Sequence, residues 1–206
     1  MLKVERRLLV ATHNKGKVTE YADILGNGQI AWLTLDEMGI TEEVAETGDT
    51  FRDNAVLKAV AYARRAGLLT LADDSGLEVD ALGGAPGVRT ARYGGPSLSA
   101  AERYQLLLRA LDGVPMTKRT ARFRCVVALC APDGGLLGTA EGVCEGCIAL
   151  KPAGEGGFGY DPVFYLPERG LTTAQLPAQE KHLISHRGRA VQAIEPLLRQ
   201  TLMNLT

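Results

Sequence analysis

Apolar positions fall into segments whose spacing changes along the chain. Leu8 to Ala11 is a short continuous apolar run, read as a strand. A polar stretch from Thr12 to Lys17 follows. Val18, Tyr21, Ala22 and Leu25 then recur at helical spacing, with Gly26 and Gly28 expected to stop that helix. Ile30 to Leu35 reads as a second strand. Phe51 to Ala66 is alanine-rich and sets Phe51, Ala55, Ala59, Tyr62 and Ala66 on one side of a helix. Leu68 to Ala72 is nearly all apolar, which suits a strand buried on both faces. Strands alternating with helices predict an α/β sheet.

The second half has a different rhythm. A glycine-rich loop runs from Gly83 to Gly95. Ser99 and Glu102 then have capping-box spacing ahead of a helical stripe of Tyr104, Leu107, Leu108 and Leu111. Ala121, Phe123, Cys125, Val127 and Leu129 alternate with Arg122 and Arg124, the pattern of a half-buried strand. Pro132-Asp133-Gly134-Gly135 is a turn, and Leu136 to Leu150 returns as another strand. Together they form a long hairpin, either a distinct lobe or an extension of the first sheet. Ala190, Ile194, Leu197, Leu198 and Leu202 mark a C-terminal helix.

Composition narrows the classes. The chain has 206 residues, 46% hydrophobic and 23% charged, the balance of an ordinary globular protein. A net charge of -1 weighs against a general nucleic-acid binder, which needs a basic face to neutralise phosphates. No run approaches the ~18 apolar residues of a membrane span. The charged segment Met1 to Arg7 leads into too short an apolar stretch for a secretory signal, so none is expected. Cys125, Cys130, Cys144 and Cys147 fit reduced thiols in a cytoplasmic chain. The C-x-x-C of Cys144 and Cys147 lacks a well-spaced second pair of zinc ligands.

Candidate chemistry lies in the segments between these elements. Thr12-His13-Asn14-Lys15-Gly16-Lys17 sits where a strand gives way to a helix. Free N–H groups and the helix dipole make such a junction attractive to anions. Read alone it is better taken as a capped turn with solvated lysines. Asp73 and Asp74 follow the third strand, and ligands of open α/β sheets collect beyond the carboxyl ends of strands. If strand geometry persists there, the two acids point to opposite faces. They are then either carboxylates for a hard, oxygen-ligated metal such as Mg²⁺ or the start of an Asp-Ser-Gly turn. Glu46 and Asp49 precede the Phe51 helix, where acids also serve structure, and Asn54 and Lys58 share one face of it. Gly154 to Gly159 matches G-x-G-x-x-G by letter, but Tyr160 to Tyr165 reads as extended chain with a proline rather than the required helix. The glycines instead suit close approach to a flat ligand, with Phe158 as a stacking face. Lys181, His186 and Arg187 form either a solvated basic turn or a donor set for purine edges or phosphates.

Taken in order, these segments resemble the inosine triphosphate pyrophosphatase family, also described as dITP/XTP or non-canonical purine NTP pyrophosphatases. The likeness runs from Leu9 to about Ala190. It is most specific at Leu71-Ala72-Asp73-Asp74-Ser75-Gly76-Leu77, Gly83-Gly84-Ala85-Pro86-Gly87, Gly156-Gly157-Phe158-Gly159-Tyr160-Asp161-Pro162 and Ser185-His186-Arg187-Gly188. The resemblance implies one domain over residues 1–206. Its fold would be an elongated, two-lobed α/β fold with a mixed sheet flanked by helices, a long hairpin and the active site in the cleft between the lobes. It also implies a homodimer, Mg²⁺ as cofactor and a purine nucleoside triphosphate such as ITP, dITP or XTP as substrate.

By the same resemblance Thr12, Asn14 and Lys17 hold the triphosphate, within a loop that also contains His13, Lys15 and Gly16. Asp74 is general base and metal ligand, Glu46 an acid near the metal and Lys58 a base in the same pocket. Ser75, Phe158, Gly159, Tyr160, Asp161, Lys181, His186 and Arg187 match nucleotide-binding positions. Donor matching, rather than the resemblance, leads to the expectation that Arg187 faces position 2 of the purine, where guanine carries an N–H₂ donor. His13 stands where many relatives carry a small residue. The competing readings are a non-catalytic purine nucleotide sensor and an oxidoreductase using the glycine loop. The acids Asp74 and Glu46 weigh against the first, and the flanks of the loop weigh against the second.

Overall fold

The computed structural model describes residues 7–25 and 30–204. Gly26 and Gly28, expected to stop the first helix, and the segment ahead of Arg7 lie outside the described residues. The described chain contains strands β1 (Arg7–Val10), β2 (Ala31–Thr34), β3 (Leu69–Val79), β4 (Thr120–Cys130), β5 (Leu136–Ile148), β6 (Phe164–Leu166) and β7 (Leu171–Thr172). Its α-helices are α1 (Lys15–Leu25), α2 (Phe51–Ala66), α3 (Ala100–Ala110), α4 (Ala178–Ile184) and α5 (His186–Asn204).

The strands form one mixed sheet in the order β2-β1-β3-β4-β5-β6-β7. β1 is parallel to β2 and to β3, with Leu8 opposite Trp32 on one side and Leu69 on the other. Parallel neighbours need a crossover, and α1 and α2 supply it between these strands. β5 with β6 and β6 with β7 are antiparallel. The predicted hairpin of β4 and β5 is therefore an extension of the sheet.

The chain divides into two compact units. The first comprises Met1–Asp74, Cys125–Gly142 and Arg187–Thr206; the second comprises Ser75–Arg124 and Val143–His186. Each has its own core. Leu8, Val10, Tyr21, Leu69, Leu71, Val127, Leu129, Ile194 and Leu198 pack in the first. Leu77, Val79, Leu107, Leu111, Ala121, Phe123, Ile148, Val163 and Phe164 pack in the second.

Local chemistry explains most element ends. The Thr50 hydroxyl accepts the N–H of Asp53 to start α2, and Gly67 ends it in the left-handed region at φ 65° while donating to the carbonyl of Ala63. α3 opens with the predicted capping box of Ser99 and Glu102. Two expectations change. β3 does not stop at Ala72 but continues through Asp73 and Asp74 to Val79. The acids stay in the sheet because both are buried against polar partners, and beyond them Leu77 and Val79 are fully buried. β5 ends at Ile148 rather than Leu150, whose side chain is exposed. The seven-residue α4 carries too short a pattern to be legible in the sequence.

The capping box generates a stability prediction. Ser99→Ala removes the acceptor for the Glu102 N–H and should cost ~1 kcal/mol in urea unfolding, whereas Ser99→Gly should cost only a few tenths. Equal stability of wild type and Ser99→Ala would show that the box contributes nothing to the fold.

Candidate active site

In the first unit the turn from β1 into α1 is built by side chains that mimic backbone. Thr12 Oγ1 accepts the N–H of Asn14 at 3.2 Å, and Asn14 Oδ1 accepts the N–H of Lys17 at 3.2 Å. Asn14 is thus the cap of α1, and its amide nitrogen remains the donor end of that side chain. Lys15 is exposed at the helix start and Gly16 half-buried. His13 lies edge-on to Tyr62 and 3.9 Å from Asp36, at the mouth of the turn rather than in the apolar core.

Lys17 reaches back to β3, where its Nζ donates to Asp73 Oδ2 at 2.8 Å. Asp73 is 2% exposed. The same oxygen faces Arg187 Nη2 at 3.4 Å and the Cys125 thiol at 3.7 Å, while Arg187 Nη1 donates to Glu20. Burial opposes ionisation of Asp73, but Lys17, Arg187 and Lys58 outweigh it and hold the carboxyl well below its usual range. Burial likewise disfavours the charge on Arg187, and Asp73 and Glu20 more than restore it. The Cys125 thiol is pushed up by burial and then by Asp73, so it is no ready nucleophile.

Arg187 is 1% exposed, and its guanidinium is held between Glu20 and Asp73. Where β4 and α5 pack into the first core, a buried arginine needs carboxylates, and these two supply them.

Asp74, next along β3, points to different partners, as strand alternation requires. Asn54 Nδ2 donates to Asp74 Oδ2 at 3.1 Å, and Lys58 Nζ lies 3.5 Å from Asp74 Oδ1. Lys58 also donates to Glu46 Oε1 at 2.5 Å. Burial raises the pKa of Asp74; the Lys58 charge opposes this and Glu46 adds to it. Burial works against the Lys58 charge, but Asp74, Asp73 and Glu46 leave its pKa raised. One ammonium therefore serves two carboxylates. Among the described residues there is no cluster of three or more His, Cys, Asp or Glu side chains suited to a metal. Mg²⁺ does not require one, because it commonly binds one or two carboxylates and completes its shell with water and phosphate oxygens. The Glu46 and Asp74 pair fits that pattern, and a cation there would offset both the burial of the Asp74 charge and the repulsion from Glu46.

The second unit collects the other predicted residues. Asp161 organises the glycine loop: its Oδ2 accepts the N–H of Phe158 at 2.8 Å and Lys181 Nζ at 2.7 Å, and its Oδ1 accepts the Thr173 hydroxyl at 2.9 Å. Gly157, at φ +71°, lies so close to this carboxylate that a Cβ would collide with it. Lys181 Nζ is 5.1 Å from the centre of the half-buried Phe158 ring. Tyr160 is buried, and its hydroxyl donates to the carbonyl of Thr90 at 3.1 Å. His186 stacks on Phe123 at 4.8 Å, nearly parallel at 13°. Gly159 and Ser75 are half-buried in the same unit. The loop leads into a 3-10 turn at Asp161–Val163 and then β6.

Glu20, Asn54, Thr173 and Phe123 escaped the sequence reading as site residues. Asn54 left a signal, its helix face shared with Lys58. Glu20 left none, because a single acid in an amphipathic helix is ordinarily solvated. All four cysteines are free and buried, and the Cys147 thiol faces the carbonyl of Tyr165 at 3.8 Å.

Residues 8–197 match the model of the Ham1 family. The dITP/XTP pyrophosphatase of Geobacillus kaustophilus is 50% identical over 190 residues, covering 92% of this chain and 93% of that protein. The dITP/XTP pyrophosphatase of Bacillus subtilis is 44% identical, covering 95% and 98%. Among solved structures, a HAM1 protein from Coxiella burnetii superposes with a TM-score of 0.84 at 41% identity, covering 94% of this chain and 98% of that one.

The Asp73 network generates a pH prediction. Its folded pKa lies below the unfolded value of ~3.9, so its contribution is present above about pH 4 and is lost as pH falls toward the depressed folded value. Asp73→Asn leaves the buried Arg187 with Glu20 alone and takes the carboxylate from the half-buried Lys17, and should destabilise the protein by roughly 3 kcal/mol or more at pH 7. Urea titrations at pH 7 and at about pH 3 should show the gap to wild type narrowing. A gap that stays constant would remove the carboxylate charge as its source.

Proposed function

This chain belongs to the Ham1 family, and from that premise we propose that it hydrolyses non-canonical purine nucleoside triphosphates, ITP, dITP and XTP, to the monophosphate and pyrophosphate. The relatives' names support the reaction class. The observation that carries the reading to this chain is Asp74, a buried carboxylate beside Glu46, gripped by Asn54 and Lys58.

Roles divide by chemistry. Thr12, His13, Asn14, Lys15, Gly16 and Lys17, with the N–H groups opening α1, suit the triphosphate. Lys17 keeps its approach fixed through Asp73. Asp74 orients the attacking water and takes its proton; burial makes it a stronger base than a solvated aspartate. Lys58 offsets negative charge around both acids. Glu46 and Asp74 would hold Mg²⁺, which when bound supplies charge stabilisation to phosphate oxygens. Ser75, Phe158, Gly159, Tyr160 and His186 suit the nucleoside, with the Phe158 ring as stacking face and the Asp161–Lys181 pair fixing the loop beneath it. Arg187, anchored by Glu20 and Asp73, stays the candidate donor toward position 2 of the base. We place the enzyme in the cytoplasm as a homodimer. No described helix is long and apolar enough to cross a membrane. A purine nucleotide sensor is the lesser reading, because a receptor gains nothing from two carboxylates beside a polyphosphate.

Purified protein with Mg²⁺ and dITP should give equimolar dIMP and pyrophosphate, and in oxygen-18 water the label should enter dIMP. Early dIDP and orthophosphate would refute attack at the α-phosphorus, and binding without turnover would favour the sensor. Asp74→Asn should lower kcat by at least ~10²-fold, the low end for loss of a general base. The kcat/KM for ITP, dITP and XTP should exceed that for ATP and GTP by at least ~10²-fold.

A further inference from the structure

Asn54 is fully buried in the first unit, and both ends of its amide are engaged. Its Nδ2 donates to Asp74 Oδ2 at 3.1 Å, and its Oδ1 accepts the backbone N–H of Gly48 at 2.8 Å. The orientation is unambiguous, since a carboxylate only accepts and an N–H only donates. Gly48 belongs to the segment that carries Glu46, two residues earlier. A Cβ on Gly48 would come within 2.6 Å of Asp53 Cβ and 2.9 Å of Asn54 Oδ1, so this backbone is packed directly onto the amide.

We propose that Asn54 is a positioning residue for the hydrolytic step, one amide that fixes the rotation of the Asp74 carboxylate and registers the Glu46 segment against it. The inference rests on the role given to Asp74 above. One turn further along α2, Lys58 approaches the other Asp74 oxygen and also holds Glu46. The two side chains of one helix face therefore grip both oxygens of Asp74 and both ends of the acid pair. They do so differently. Lys58 supplies charge, which lowers the basicity of the carboxylate it touches. Asn54 supplies a neutral donor, which fixes direction with little loss of basicity. A second cation at position 54 would weaken the base, and an apolar residue would leave the carboxylate free to rotate and strand the Gly48 N–H.

The test uses Asn54→Leu, which loses both hydrogen bonds, and Asn54→Asp, which is nearly isosteric, keeps an acceptor for Gly48 and loses the donor to Asp74. Each is made alone and combined with Asp74→Asn, with folding checked by circular dichroism and thermal melting. With dITP and saturating Mg²⁺, both single variants should lose ~10–10²-fold in kcat with KM changed by less than about threefold, the pattern of a misplaced reacting group. In the Asp74→Asn background the further loss should be below about twofold, because a residue acting through Asp74 has nothing left to position. Independently of turnover, the side-chain amide resonance of Asn54 in ¹⁵N-labelled wild-type protein should shift on Asp74→Asn substitution. Near wild-type kcat in Asn54→Asp, or equal fold losses with and without the Asp74 carboxylate, would overturn the proposal. If Asp74→Asn itself turns over normally while the amide resonance shifts, the hydrogen bond is real and the role of Asp74 is what has failed. Should Asn54→Leu not fold, the Asn54→Asp cycle and the amide shift decide the matter.

Discussion

The first unit depends on a buried carboxylate. Asp73 lies on β3, receives Lys17 from α1, and faces Arg187 at the start of α5. Three elements distant in sequence thereby meet at one oxygen atom. A lone carboxylate at this depth would be protonated, and a lone guanidinium would be intolerable. Because each requires the other, the positions of α1, β3 and α5 are coupled. Lys17 inherits that rigidity, and so does the turn from Thr12 that it closes. The conformation of this turn is therefore a consequence of the core below it.

The adjacent residue shows how a strand assigns two roles to two identical side chains. Asp73 and Asp74 alternate across β3. The first meets cations and is held fully ionised. The second meets a neutral amide, one shared ammonium and another acid, and its pKa is raised instead. One is suited to structure and the other to accepting a proton, although they are neighbours in a continuous strand. The difference comes from what packs on each face.

The second unit uses the same device for another purpose. Asp161 is buried, and Lys181, Thr173 and the Phe158 N–H occupy its oxygens. Its effect is on the glycine loop, which could otherwise sample many conformations. Gly157 contributes the absence of a side chain, and the carboxylate fills that space. Phe158 is left with its backbone fixed, its ring beside the Lys181 ammonium and part of its surface exposed.

Elements whose signals are local are legible along the chain. The span of α2 follows from an alanine-rich apolar face between a threonine cap and a glycine stop, and the start of α3 from Ser99 and Glu102. The sequence also marked Asp74, Lys58, Glu46 and the Thr12 to Lys17 turn, through spacing and through resemblance to a family. Tertiary structure alone decided that β3 runs through its two acids, because only buried partners make acids tolerable in a sheet. It decided that Arg187 belongs to the interior, because Glu20 lies far away in sequence and leaves no pattern pointing to it. It decided that Asn54 joins Asp74 to the Glu46 segment, since both hydrogen bonds arise only when α2 packs against β3. Periodicity and capping act over one or two turns of chain, and the partners of a buried polar group are set by which elements the fold brings together.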